Sequence, residues 1–350
     1  MEIELRTAKK EDAEEWDRLV EESPHGTIFH TWKWLKTVEK HTSSRLYPII
    51  GSKGDNPVGV FPVFYQKKGP VKAVFSPPPK VSVLYLGPAM TGFDKLKQNK
   101  KEANLMELQK SVDDFIKKEL SPGYIYMTTP PGLVDSRPFI WSGYQVEPRY
   151  NYLTDISGGA DQVWRQFKKN LRQDIERAKR RGVTVEEGSR KEVRKIHELL
   201  VERYKEQGKT AGESREYMLD LYNAMKKNMR VLVAKYEDEI VTGLIDVFYR
   251  DKVTGWVGNF KTGLENISPN DALNWESTKW ACDNGFKYYE TMGAANVERL
   301  YKYYSKWSTG LLVWFTARKY PSKSSRLLEK GYVKLMKPAR SRLKLAARKR

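Results

Sequence analysis

The chain has 350 residues, enough for two domains of ordinary size, and its 39% hydrophobic and 12% aromatic content excludes a disordered or fibrous protein. A formal charge of +19 favours polyanionic partners: nucleic acid, an anionic membrane surface or phosphorylated substrates. The single cysteine, Cys282, excludes an internal disulfide, MEIELRTAKKEDAEEW lacks the apolar run of a signal peptide, and apolar runs such as GLLVWF (310–315) are too short to span a bilayer, so a soluble, cytoplasmic protein is expected.

In chain order, TWKWLKTVEK (31–40) reads as a helix. RLYPIIGSKGDNPVGVFPVFY (45–65) reads as strand, turn, strand, with β-formers around a Gly/Asp/Asn cluster. ANLMELQKSVDDFIKKEL (103–120) is a second helix leading to a Gly-marked strand, GYIYMTT (123–129). The strand-like run in GYQVEPRYNYLTDISGGA (143–160) ends in a small-residue turn. The pattern then repeats: helix SREYMLDLYNAMKK (214–227), hairpin RVLVAKYEDEIVTGLIDVFY (230–249), helix DALNWESTKWACDN (271–284) and strand GFKYYETMG (285–293). Both hairpins end in VFY. Repetition of residues and of element order predicts two copies of one α/β unit, each a mixed sheet flanked by helices. The expected division is 1–150, 151–325 and a basic tail, 326–350, which either packs back on the first domain or offers a patch for phosphates or a membrane surface.

Between the copies lies FKKNLRQDIERAKRRG (167–182). Trp164, Phe167, Leu171, Ile175 and Ala178 recur at three- and four-residue steps, predicting one apolar helix face. Basic residues fill the rest. Gly182 suits a left-handed helix end, and Lys179, Arg180 and Arg181 suit the negative end of the helix dipole. Lys168, Lys169 and Arg172 lie further from that end and are candidates for an anionic ligand.

FKKNLRQDIERAKRRGVTVEEG, together with TIFHTWKWLKTVEK (27–40), GWVGNF (255–260) and YYETMGAANVERLYKYYSKWSTG (288–310), resembles the Fem peptidyltransferases, a branch of the GNAT-like acyltransferases. The resemblance covers most of the chain. It implies two tandem GNAT-like domains with a cleft between them. It also implies acyl transfer to an amine, typically from aminoacyl-tRNA to a cell-wall precursor, at the cytoplasmic side of the cell envelope. The coiled-coil arm of some members has no counterpart here.

The resemblance also assigns residues. Lys36, after the motif tryptophan Trp34, and Arg215, about two positions out of register, correspond to residues that contact substrate phosphate. In LYKYYSKW (300–307), Tyr303 takes the aromatic position, Trp307 the next aromatic, and Tyr304 stands where the family's lysine belongs. Lys302 and Lys306 each lie two residues away, about 200° around a helix, so neither replaces that lysine simply. The expectation is that Tyr304, with Lys306 and Tyr303, sits by the reacting carbonyl, while Lys36, Lys168, Arg172 and Arg215 hold phosphate.

The chemistry asks little of the protein: positioning, a proton acceptor and donors for an oxyanion. No nucleophile constellation is evident. Cys282, beside Trp280 and Ala281, reads as structural. His25, His30, His41 and His197 lack metal-ligand spacing, and no cofactor is expected. NFKTGLENISPNDAL (259–273) lacks the Q/R-x-x-G-x-G/A phosphate loop of acetyl-CoA-using GNAT enzymes, although Asn270 or Asp271 could cap the following helix. The leading expectation is an aminoacyl-tRNA donor and an amine on a phosphate-bearing acceptor. Two alternatives stay open: an acyl-CoA donor on the same fold, and a basic nucleic-acid-binding protein without catalysis. Peripheral contact with the inner membrane surface also fits the charge.

Overall fold

The computed structural model describes residues 2–258, 263–264 and 266–321. The first half runs β1 (Glu4–Thr7), α1 (Ala13–Glu22), α2 (Trp32–His41), β2 (Ser44–Lys53), β3 (Asn56–Lys68), β4 (Val71–Ser76), β5 (Ala89–Met90), α3 (Gln98–Phe115), β6 (Tyr124–Thr128), α4 (Arg137–Trp141) and β7 (Gln145–Asp155). The second half follows with α5 (Gly159–Gln166), α6 (Lys169–Arg180), β8 (Thr184–Glu187), α7 (Arg190–Glu206), α8 (Arg215–Ala224), β9 (Met229–Tyr236), β10 (Glu239–Tyr249), β11 (Lys252–Gly258), α9 (Pro269–Asp283), β12 (Tyr288–Thr291), α10 (Glu298–Tyr304) and β13 (Gly310–Lys319).

The described strands form one mixed sheet in the order β1-β2-β3-β4-β6-β13-β7-β12-β11-β10-β9-β8, with β5 on β3. The order is the same read from either edge by each half's own strands. Each VFY lies in a strand third from an edge: Val63–Tyr65 in β3, which runs on to Lys68, and Val247–Tyr249 at the end of β10. Each half has one parallel pair, β4 with β6 and β11 with β12.

The halves exchange strands at the centre. β13 pairs with β6 (Thr316↔Thr128) as well as with β7 (Gly310↔Leu153), and β7 pairs with β12 (Thr291↔Tyr152). The boundary expected near residue 150 therefore falls inside β7, because the pairing of Gln145–Asp155 is continuous. It is Gly310–Lys319 that returns to the first half; the tail 326–350 lies outside the described residues.

Strand alternation divides the core between the two faces. Val231 and Val233 of β9 join α1, α2, α7 and α8 in one cluster that also holds Trp16 and Trp34. Leu232 and Ala234 point the other way, towards α6 and α9. On that second face α3 and α4 cover the first half, against Phe61 and Met127, and α5, α6 and α9 cover the second.

The basic segment is not one helix. Phe167 and Lys168 are extended (ψ 140° and 149°), separating α5 from α6. The break lets Phe167 fill a cluster with Trp164, Trp275 and Trp307, its ring 5.6 Å from Trp275 and 5.1 Å from Trp307. Leu171, Ile175 and Ala178 are fully buried, as their spacing predicts. Burying a side chain the size of Leu171 or Ile175 is worth about 1.5–3 kcal/mol. Gly182 ends α6 at φ +84°, and the Val183 amide reaches back to the Ala178 carbonyl at 3.0 Å.

Candidate active site

α10 lies against α6 and α9, and the contact is polar. The Lys306 ammonium, just past α10, lies 2.9 Å from Asp271 of α9 and 3.6 Å from Asp174 of α6, and 4.6 Å from the centre of the Tyr303 ring. Arg177 holds Asp174 at 2.6 Å and donates to Ser268, the residue before α9, at 2.9 Å. Burial raises the Asp271 carboxyl above its ordinary range while Lys306 opposes that shift. Asn274 donates to the Tyr303 hydroxyl at 3.0 Å. The expected cap at α9 is absent: Asp271 faces Lys306, and Asn270 accepts from Thr242 at 2.8 Å.

Deeper, Asp246 of β10 is fully buried and accepts from Ser277 and, at 2.9 Å, from Tyr289. Desolvation pushes its carboxyl up to about 6, against the pull of those two donors and the charge of Arg230. Burial, then the Asp246 charge, raises the Tyr289 phenol well above its ordinary value, and the Tyr304 phenol adds to the shift. Tyr304 also stacks edge-on against Tyr303, centroids 4.8 Å apart. Tyr289, Tyr303 and Tyr304 thus form one group of phenols between two buried carboxylates. Such a group can donate hydrogen bonds to developing negative charge and pass protons over short distances.

Beside α10, where β7 and β13 meet, a groove of about 360 Å³ is lined by Tyr150, Tyr152, Ser305, Ser308, Thr309 and Leu311. Asn296 shapes one side by bonding both backbone groups of Tyr150, at 3.0 and 2.6 Å. On the opposite face, buried Glu290 of β12 accepts from Lys252 and Asn151, each at 2.5 Å, and from Tyr85 of the first half at 3.0 Å. This network locks the halves together.

The structure brings Tyr303, Tyr304 and Lys306 together, but it separates the four phosphate candidates. Lys168, before α6, and Arg172 lie on the α9 side of the sheet. Arg172 lines an open groove of about 490 Å³ with Trp164, Lys169 and Arg180. Lys36 and Arg215 lie on α2 and α8, which pack on the other face. Lys36 pairs with Glu39, and Arg215 with Glu216 at 3.1 Å. One phosphate cannot contact all four. By contrast, Lys168, Lys169, Arg172, Arg180 and Arg181 have no acidic partner among the described residues.

The other candidates are structural in their surroundings. His30 is buried and its pKa is lowered to about 3 by desolvation; His41 pairs with Asp220 at 2.7 Å. Burial, aided by Asp283, raises the Cys282 thiol to about 11, so it is no thiolate near neutrality. Among the described residues no cluster of three or more His, Cys, Asp and Glu side chains is placed to hold a metal. Residues 259–262 and 265 of the stretch compared with the acetyl-CoA loop lie outside the described residues.

Asp246, Tyr289 and Asp174 were not anticipated, and Asp271 was anticipated only as a helix cap. Asp246 left a signal, a carboxylate amid the apolar run GLIDVF. Asp174 and Asp271 left none, because each reads as an ordinary helical polar residue until Lys306 is brought to it.

The family model described as an acetyltransferase (GNAT) domain matches residues 165–303. No curated protein matches the sequence. Among solved structures, FemX superposes with TM-score 0.67 at 15% identity, covering 89% of this chain and 96% of FemX. L-PGS from Bacillus licheniformis gives 0.53 at 13% identity, covering 91% and 96%. A tandem GNAT protein from the clavulanic acid biosynthesis pathway gives 0.53 at 10% identity, covering 92% and 100%. The chain shares the fold of FemX and of that tandem GNAT protein, and its residues 165–303 match the acetyltransferase (GNAT) domain model.

Proposed function

We propose that this protein is an N-acyltransferase that moves an aminoacyl group from aminoacyl-tRNA to an amine on a phosphate-bearing cell-wall or surface precursor. The observation that carries the reading is the coupling of α6 to α10. The helix with a row of cations lacking acidic partners is joined, through Asp174 and Lys306, to the turn bearing Tyr303 and Tyr304. A polyanionic donor on α6 would have its reactive end near the phenols. The fold shared with FemX and L-PGS agrees with this reading.

In the proposed reaction the acceptor amine attacks the ester carbonyl of the donor. A C–N bond forms, the C–O bond to the ribose breaks, and the ribose oxygen leaves with a proton. Tyr304 donates a hydrogen bond to the oxyanion, a neutral counterpart of the lysine that the Fem resemblance leads one to expect. Tyr303 and Lys306 position Tyr304. On the opposite face, Lys36 and Arg215 would be available to the acceptor's phosphate once Lys36 releases half-buried Glu39 and Arg215 releases exposed Glu216.

Filter retention of bulk tRNA and calorimetry with acetyl-CoA test the donor. The expected outcome is tRNA retention that falls steeply with salt, as phosphate contacts release counterions, and weak or no heat with acetyl-CoA. Micromolar acetyl-CoA affinity without tRNA retention would overturn the proposal in favour of an acyl-CoA donor.

A further inference from the structure

The two most exposed large apolar side chains among the described residues are Val134 (73%) and Trp141 (62%), and both belong to one protrusion of the first half. α4 buries Pro138 and Phe139 and turns Ile140 (51%) and Trp141 outward. Arg137 fastens the protrusion to α3 through Glu102 at 2.8 Å and lies 5.6 Å from the centre of the Trp141 ring. Met106, one turn beyond Glu102 on α3, adds a further exposed apolar side chain.

The start of α3 beside this patch is charged against its own helix. An N-terminus favours acidic residues, because the dipole and free amides there are positive. α3 has none in its first turn; Lys97 is its N-cap and Lys100 and Lys101 follow at once, with Lys95 just before. Lys95, Lys97 and Lys100 are exposed and make no ion pair among the described residues. The nearby acids are mostly engaged: Glu102 and Asp135 by Arg137, and Glu107 by Lys53, with Asp94 the exception.

We propose that the α3–α4 protrusion is a docking surface for an anionic lipid bilayer. A tryptophan and aliphatic side chains suit the headgroup–acyl boundary, and lysines beside them suit anionic headgroups. Nucleic acid would engage the lysines and leave Val134 and Ile140 without apolar contact. α4 covers the same sheet face as α9 and α10, so docking there turns the groove at Tyr150 and Tyr152 towards the same side as the bilayer. The proposal does not depend on the donor.

The test is co-sedimentation of the full chain with phosphatidylcholine vesicles, with and without about one third phosphatidylglycerol. Wild type is expected to bind the anionic vesicles only, and less as salt rises. K97E/K100E and I140S/W141S should each lower the partition coefficient at least about tenfold, since each basic residue near such a surface contributes severalfold. Neither variant should melt lower than wild type, and K97E/K100E should melt slightly higher because it relieves the charge at the start of α3, while tRNA retention should be unchanged, because these positions belong to α3 and α4 and not to α6. No vesicle binding by wild type at low salt, or wild-type binding by both variants, overturns the proposal. So does a concentration-dependent dimer in sedimentation that I140S/W141S abolishes, which would make a second copy the occupant.

Discussion

Lys306 lies 2.9 Å from Asp271, and the pair joins the end of α10 to the first turn of α9. Asp271 is almost fully buried, so its charge depends on that ammonium. Lys306→Met should cost about 3–5 kcal/mol at neutral pH, as expected when a buried pair loses one member. Without the ammonium the Asp271 carboxyl rises further, so the deficit should shrink as pH falls and Asp271 becomes neutral. Lys306→Met/Asp271→Asn should recover most of the loss. Urea titrations of the three variants across pH check this; a single Lys306→Met variant as stable as wild type would show that the pair contributes nothing.

Tyr304→Phe should separate chemistry from stability. The substitution keeps the ring against Tyr303 and removes only the hydroxyl. Turnover should fall about 10²–10³-fold, the range for loss of one oxyanion donor, while the melting temperature moves little. Single-turnover transfer from aminoacyl-tRNA measures it. Unchanged turnover would remove Tyr304 from the chemistry.

The two sides of α6 should respond in opposite ways. Lys168→Ala/Arg172→Ala removes one exposed and one half-buried cation, neither paired with an acid among the described residues, and should change stability by no more than about 1 kcal/mol. Its tRNA affinity should drop, with a shallower salt dependence, because fewer counterions are released. Leu171→Ala, at a fully buried position, should cost about 2–5 kcal/mol of stability. If the double variant binds tRNA as wild type does, the cations of α6 are only a solvated face.

Asp246 predicts a pH dependence. Its carboxyl is raised to about 6 in the folded protein by desolvation. A folded-state pKa above the unfolded one gives stability that is present at pH below about 4 and lost as pH rises through about 6. Asp246→Asn should remove that component, on the order of 2–3 kcal/mol between the two ends of the window. The amide oxygen keeps an acceptor for one of Ser277 and Tyr289, which donate to different oxygens of Asp246, and the other hydroxyl must turn to accept from the amide NH2. Chemical denaturation of both proteins from pH 4 to about pH 7 checks the sign. A difference that does not vary with pH would mean Asp246 is ionised throughout.

Much of the fold is legible in residues close together in the chain. Short apolar runs in RVLVAKY and GLIDVFY, with glycine or acidic residues at the turns, specify strands buried on both faces, because run length and β-former content are local properties. Leu171, Ile175 and Ala178 at helical spacing, followed by Gly182, specify α6 and its end. Recurrence of the same element order announces a duplicated sheet. The break at Phe167 is not visible this way: helix spacing continues through it, and only the ring's fit among Trp164, Trp275 and Trp307 overrides local preference. Similarly, nothing near Gly310–Lys319 says that it will lie between β6 and β7, some 160 to 190 residues away. The meeting of Asp271 with Lys306, and of Asp246 with Tyr289, was decided by the same long-range packing. Those carboxylates depend on partners that only the assembled sheet and its helices bring within hydrogen-bond distance, whereas the tyrosines and the basic helix are already marked by their order along the chain.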